Sequence, residues 1–242
     1  MKAILTGHTR GLGAAIAEQL LARDIPVLGL ARSGNAALAA RYPALLTEIA
    51  LDLSDPATLL AALAGETVKD FVASAQSLLL INNAGMLQPV GRVEMQDAAA
   101  IARTVSLNVA APLMLTSGIA AQMKGRPCRV LHISSGAGRH AYPGWSIYCA
   151  TKAALDQHAS VIALDQSPGL KICSVAPGVV DTDMQTEVRA IPPEQFPMRE
   201  RFIKMKNEGA LTPPSVAAKK LLDYLLSDAY GTVPLADVRE LA

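Results

Sequence analysis

Residues 6–13 read TGHTRGLG, a TGxxxGxG pattern. The stretch follows a short apolar run, Ala3 to Thr6, and opens a segment in which Leu12, Ile16 and Leu20 recur at helical spacing. A glycine turn between a strand and a helix leaves backbone N–H groups free to meet an anion. Gly7 permits the tight turn, Gly11 lets the backbone approach a pyrophosphate, and Gly13 allows close helix–strand packing. Such loops also serve as ordinary turns, but this one sits straight after an N-terminal strand, where a dinucleotide-binding loop belongs.

Working outward, the same alternation repeats. Apolar runs at Pro26 to Leu30, 45–51, Ser77 to Ile81, Arg129 to Ile133, Lys171 to Val175 and 232–238 read as strands. Helical patterns cover 34–41, the stretch opened by Asp55-Pro56, 97–123, 146–166 and the stretch opened by Pro213-Pro214. Residues 183–210 carry three prolines and no clear period, and read as a substrate lid. Regular alternation predicts an α/β, doubly wound parallel sheet with helices on both faces. One domain is expected over 1–242. Ligands of such sheets bind beyond the carboxyl ends of the strands.

Composition excludes several classes. Of 242 residues, 51% are hydrophobic and 18% charged, enough for a core and too apolar for disorder. A net charge of +1 argues against a broad nucleic-acid surface or an electrostatic membrane anchor. Cys128, Cys149 and Cys173 form no CxxC, and His8, His132, His140 and His158 form no HExxH, so neither disulfides nor a metal site are expected. A reducing cytoplasm is the simplest setting. The N-terminal apolar run is too short for a signal peptide. The uncharged stretches Phe71 to Gly91 and Thr104 to Met123 carry too many polar residues to be expected in a membrane.

Cofactor choice is read at the end of the second strand. NAD-binding sites place an acid about 20 residues past the loop. Here Arg32 stands nineteen residues after Gly13, and Arg10 lies inside the loop. Guanidinium groups pair with a 2′-phosphate, and with no acid seen to compete, NADP(H) is expected.

Tyr148 and Lys152 stand four apart, on one helix face. An ammonium beside a phenol is expected to lower its pKa and make it a usable general acid. Ser135, thirteen residues earlier and just after a strand, can hold a substrate oxygen. Asn108, an amide in an apolar helix, needs partners; it either holds a water near Lys152 or marks a helix irregularity.

Taken together, TGHTRGLG, Leu51-Asp52-Leu53, Asn82-Asn83-Ala84-Gly85, Asn108, Ser135, Tyr148-Cys-Ala-Thr-Lys152 and Pro177-Gly178-Val179-Val180-Asp181-Thr182 resemble the short-chain dehydrogenase/reductase family over nearly the whole chain. The resemblance implies a seven-stranded Rossmann-like fold and a catalytic tetrad of Asn108, Ser135, Tyr148 and Lys152. It implies that Gly7, Arg10, Gly11, Leu12 and Gly13 meet the cofactor, with Asp52 and Leu53 at the adenine. Asn83, Ala84 and Gly85 would line the adenosine ribose. Tyr148 and Lys152 would reach the nicotinamide ribose, and Pro177, Gly178, Val180 and Thr182 the carboxamide. Residues 134–138, Tyr142-Pro-Gly-Trp145 and 177–186 look like the sepiapterin-reductase and benzil-reductase branch, nearer the bacterial benzil type. That branch implies reduction of a ketone or 1,2-diketone by NADPH.

Candidate substrate contacts are Gly136, Tyr142, Trp145 and Met184, with Met86, Leu87 and Val179 nearby. Phe196, Met198 and Phe202 either touch substrate or pack the lid on its own body. The family pairs helices like 97–123 and 146–166 across a dimer, so a homodimer or homotetramer is expected. Two other readings stay open: a secondary-alcohol dehydrogenase, and an NADPH sensor without catalysis.

Overall fold

The computed structural model describes residues 1–241. Seven strands, β1 (Lys2–Thr6), β2 (Val27–Ala31), β3 (Leu46–Ala50), β4 (Leu78–Asn82), β5 (Cys128–Ile133), β6 (Leu170–Ala176) and β7 (Leu235–Asp237), form one sheet. Its order is β3-β2-β1-β4-β5-β6-β7, and every pairing is parallel. The direction of winding reverses between β1 and β4, so the loops after those strands face each other.

Successive strand residues supply opposite faces of the sheet. Ala3 and Leu5 of β1 join one core with α1 (Gly11–Leu21) and α10 (Pro214–Leu226). Ile4 joins the other, with α3 (Pro56–Ala64), α4 (Glu66–Ala73), α6 (Ala111–Met123) and α7 (Ser146–Asp165). Between β2 and β3 lies α2 (Ala36–Arg41), capped by the Asn35 side chain on the Leu38 N–H at 3.1 Å. Gly65 ends α3 and starts α4, so the helix opened by Pro56 is two helices.

The helix expected over 97–123 is continuous but not uniform. It comprises α5 (Ala98–Val105), a π-turn at Ser106–Ala110, and α6. By length and composition, Ala98–Met123 would pass for a membrane span, contrary to the sequence expectation. It lies against the sheet, where Leu115, Ile119 and Met123 are buried with β4 and β5 residues.

Residues 183–210 also differ from expectation, for they hold two helices, α8 (Asp183–Ala190) and α9 (Arg199–Asn207). Each buries one side chain, Val188 and Phe202 respectively. One apolar anchor per helix leaves no period to read.

Candidate active site

The glycine loop and the turn after β4 are built into each other. Thr6 Oγ1 accepts the backbone N–H groups of Asn83 and Ala84, each at 2.9 Å. Asn83 Nδ2 donates to the carbonyls of Thr6 and Gly7 at 3.0 and 3.2 Å. Gly7 has φ +69°, and a Cβ on Gly13 would overlap the Gly7 carbonyl, so both positions exclude a side chain. Among the described residues, no side chain caps the start of α1. Its first N–H groups therefore remain for a phosphate, and the cradle fits a dinucleotide. Leu12 is buried behind it.

The adenosine end carries both signs of charge. Arg32 is exposed at the end of β2. Asp52 accepts the Ser54 N–H and hydroxyl at 2.9 and 2.7 Å; these bonds, then the charge of Arg32, hold its carboxyl below the usual range. An acid does therefore stand near Arg32, which corrects the expectation of none. Leu53 is buried in the core beside Leu51, so its side chain does not present itself to an adenine. Arg10 is also engaged. Its Nη1 pairs with Asp183 of α8 at 3.2 Å, both side chains being largely exposed.

The four tetrad candidates come from three segments: the π-turn, the turn after β5 and α7. The π-turn carries Asn108, which is 1% exposed. Its Oδ1 accepts the Met86 N–H at 2.9 Å, and its Nδ2 donates to Met86 O at 2.8 Å and Thr151 Oγ1 at 3.2 Å. Both donors are thus spent, leaving one lone pair on Oδ1 for a water. A Cβ on Gly85 would lie 3.4 Å from that oxygen and 3.7 Å from Lys152 Nζ, so Asn108, Lys152 and the ribose-side turn converge. Ser135 caps the 3₁₀ turn Gly136–Gly138 through Ala137 N–H at 3.1 Å.

Tyr148 and Lys152 are both buried on α7. Lys152 Nζ donates to Ile133 O at 2.7 Å and stands 5.6 Å from the Tyr148 ring centre. Burial brings the lysine down to about 8, with Asp156 opposing. Burial pushes Tyr148 up to about 12, and the Ser135 hydroxyl is the group that pulls it back. The expected lowering by the ammonium is therefore corrected. The lysine spends a hydrogen bond on the β5 backbone and faces the ring, so desolvation wins.

A network that sequence reading missed stands behind this centre. Asp156, one helical turn past Lys152, accepts Ser174 Oγ at 2.7 Å and Arg139 Nε at 3.3 Å. Arg139 also binds the carbonyls of Ser174 and Ala236, tying the Ser135 turn to β6 and β7. The only signal was the shared helix face of Tyr148, Lys152 and Asp156.

Over Tyr148 the lid forms an aromatic cover. Trp145 meets the Tyr148 ring edge-on at 5.5 Å and stacks on Phe196 at 4.5 Å with planes 9° apart. Phe202 packs on both, and Val188 joins from α8. Phe196 and Phe202 thus pack the lid on its own body, and Trp145 is 5% exposed rather than open to the cleft. Among the described residues its Nε1 has no hydrogen-bond partner. Tyr142, Met184, Met86 and Val179 remain half-buried at the rim, with Leu87 beneath. Tyr142 Oη would lie 3.9 Å from a Cβ on Gly136. On the carboxamide side, Val180 bridges to Thr212, and Thr182 Cγ2 would lie 3.2 Å from a Cβ on Gly11. Pro177 and Gly178 form the turn between, Gly178 with φ +75°.

Such a sheet, with a glycine cradle at its switch point and a Ser–Tyr–Lys centre beside it, defines an oxidoreductase of the nicotinamide-using class. The short chain dehydrogenase model matches residues 1–192. The chain belongs to the short-chain dehydrogenase/reductase family, whose members use nicotinamide cofactors. It is 36% identical to a benzil reductase, (S)-benzoin forming, of Bacillus cereus, over 94% of each chain. It is also 36% identical to a sepiapterin reductase of Meriones unguiculatus, over 94% of this chain and 92% of that one. A crystal structure of a short-chain dehydrogenase/reductase from Burkholderia vietnamiensis shares 49% identity, with a TM-score of 0.72 over 100% of this chain and 98% of that one.

Proposed function

We propose that this chain is an NADPH-dependent carbonyl reductase whose best substrates are electron-poor ketones, 1,2-diketones foremost. The observation that carries this reading is the placement of Tyr148 beside Lys152 and beneath an apolar aromatic cover. The bound nicotinamide would supply the hydride. Ser135 orients the carbonyl oxygen, and Tyr148 gives it a proton. Lys152 holds the cofactor ribose, and Asn108 fixes the Met86 turn beside it. Arg32, exposed at the end of β2, favours the phosphorylated cofactor. The reverse reaction, alcohol oxidation, would return the proton to the same Tyr148 oxygen.

The names of the two curated relatives agree with an uncharged carbonyl substrate. A second carbonyl withdraws density from the first and eases hydride attack. We place the enzyme in the cytoplasm, as a homodimer or homotetramer through α5, α6 and α7; Val105, Val161 and Leu164 are exposed apolar residues on α5 and α7. The test is loss of nicotinamide absorbance over a panel of diketones, pterins, steroids, sugars and acetoacetyl thioesters. Benzil-like and aliphatic diketones should lead. Preference for a thioester or a sugar would refute the substrate reading, and no turnover with NADPH still bound would point to a sensor.

A further inference from the structure

His8, inside the glycine loop, is fully buried, and its ring lies over Gly29 of β2. A Cβ on Gly29 would come within 2.5 Å of His8 Cε1, so that glycine makes the space the ring fills. Across it, on β3, stands Glu48, the register partner of Gly29. His8 Nε2 and Glu48 Oε1 are 2.6 Å apart; an ionised carboxylate only accepts, so the imidazole donates. The same Oε1 accepts the Asn35 backbone N–H at 2.6 Å. Asn35 in turn donates to Thr9 O at 3.4 Å. One carboxylate oxygen thus joins the glycine loop, β3 and the turn 32–35. The other, Oε2, would lie 2.9 Å from a Cβ on Gly34, and the side chain is 22% exposed.

The turn 32–35 follows β2, where a carboxylate accepts the ribose hydroxyls in NAD-binding sites. Glu48 reaches that turn from the neighbouring strand, but it is tethered from below. We propose that His8 is a specificity-determining positioning residue: by donating to Glu48 Oε1 beside the Asn35 N–H, it holds that carboxylate down against Gly29 and off the adenosine ribose, so that Glu48 does not add its charge to that of Asp52 where Arg32 meets a 2′-phosphate. This rests on the NADPH reading above. Without the His8 donor only the Asn35 N–H holds Oε1, and the carboxylate swings from its place beside Gly34 further into water, where it repels a 2′-phosphate and accepts from a 2′-hydroxyl.

Dissociation constants for NADPH and NADH, measured by calorimetry at fixed ionic strength, test this. The variants are His8→Leu, His8→Gln, Glu48→Asp and the double variant His8→Leu/Glu48→Gln. His8→Leu should lower the NADPH-over-NADH ratio by on the order of fivefold, the size of one nearby like charge partly screened by solvent. His8→Gln, which keeps a donor, should retain the ratio, and the double variant should restore it. Glu48→Asp keeps the charge but shortens its reach, and should lower the ratio even where His8→Leu does not fold. Equal weakening of both cofactors, or no recovery in the double variant, would overturn the proposal, because a purely structural role leaves the ratio alone. Equal affinities in the wild type would instead refute the NADPH reading itself.

Discussion

Around Thr6 the molecule is held by hydrogen bonds; around Trp145 it is held by stacked rings. On the cofactor side, Thr6, Asn83 and Gly7 exchange short bonds between backbone and side chain, and glycines stand where a Cβ would collide. On the substrate side, Trp145, Phe196 and Phe202 meet in a cluster whose one indole N–H has no partner among the described residues. Directional bonds require particular residues at particular places. Packing requires volume and an apolar surface, and many sequences supply those. The first side is rigid and spelled out; the second is free to vary with substrate.

Substitutions should separate the two sides. Tyr148→Phe carries the largest expected effect: turnover falls by at least about 10²-fold, while the NADPH dissociation constant stays within about twofold. Single-turnover rates beside calorimetry check this, and a parallel loss of cofactor affinity would join what we separate. Phe196→Ala removes the Trp145 stack and should cost about 3 kcal/mol of stability. KM for a diketone should rise with it, and cofactor affinity should not move. Arg32→Asp is the converse, shifting the NADPH-over-NADH ratio by on the order of 10²-fold, from the one or two charge-assisted bonds it removes. Substrate KM at saturating cofactor should be unchanged.

Acid should weaken the sheet that both sides share. His132 on β5 is held down to about 3, by burial first and then by the charges of His158 and Lys152. Its unfolded value is near 6.5. The unfolded chain therefore binds one more proton between those values. The stability it contributes is whole above about 6.5 and is lost as pH falls toward 3, by up to about 1.4 kcal/mol per pH unit. Denaturant titrations at stepped pH should show His132→Asn with a shallower slope. The smallest effect belongs to the exposed pair that links the two sides. Asp183→Asn should change stability by less than about 1 kcal/mol and, by freeing Arg10, tighten NADPH about twofold.

This contrast explains what the sequence disclosed. Apolar runs buried on both faces, as in β2 and β4, and glycines at fixed offsets are dictated by burial and by close approach, so the strand alternation and the cradle were legible. Tyr148 and Lys152 were legible because helix geometry makes four residues one turn. The lid helices were not, since Val188 and Phe202 are solitary anchors. Nor were the partners of Arg10 and Glu48, for each lies far along the chain and is brought near only by the order of the sheet. The reversal at Tyr148 has the same origin: burial of α7 outweighs a neighbour that sequence spacing alone makes conspicuous.

The π-turn at Ser106–Ala110 has a consequence for the gene as well as the site. It amounts to one surplus residue in a helix, taken up by a single wider turn between α5 and α6. Losing a single codon within 106–110 would let the segment relax into an ordinary α-helix, with no cavity and no buried charge to betray the loss. Yet, with α5 and α6 left in phase, it would shift the residues inside the turn and take Asn108 off the Met86 backbone. Such a deletion should yield a folded, well-behaved protein with a disabled centre, a lesion that folding assays alone would pass as harmless.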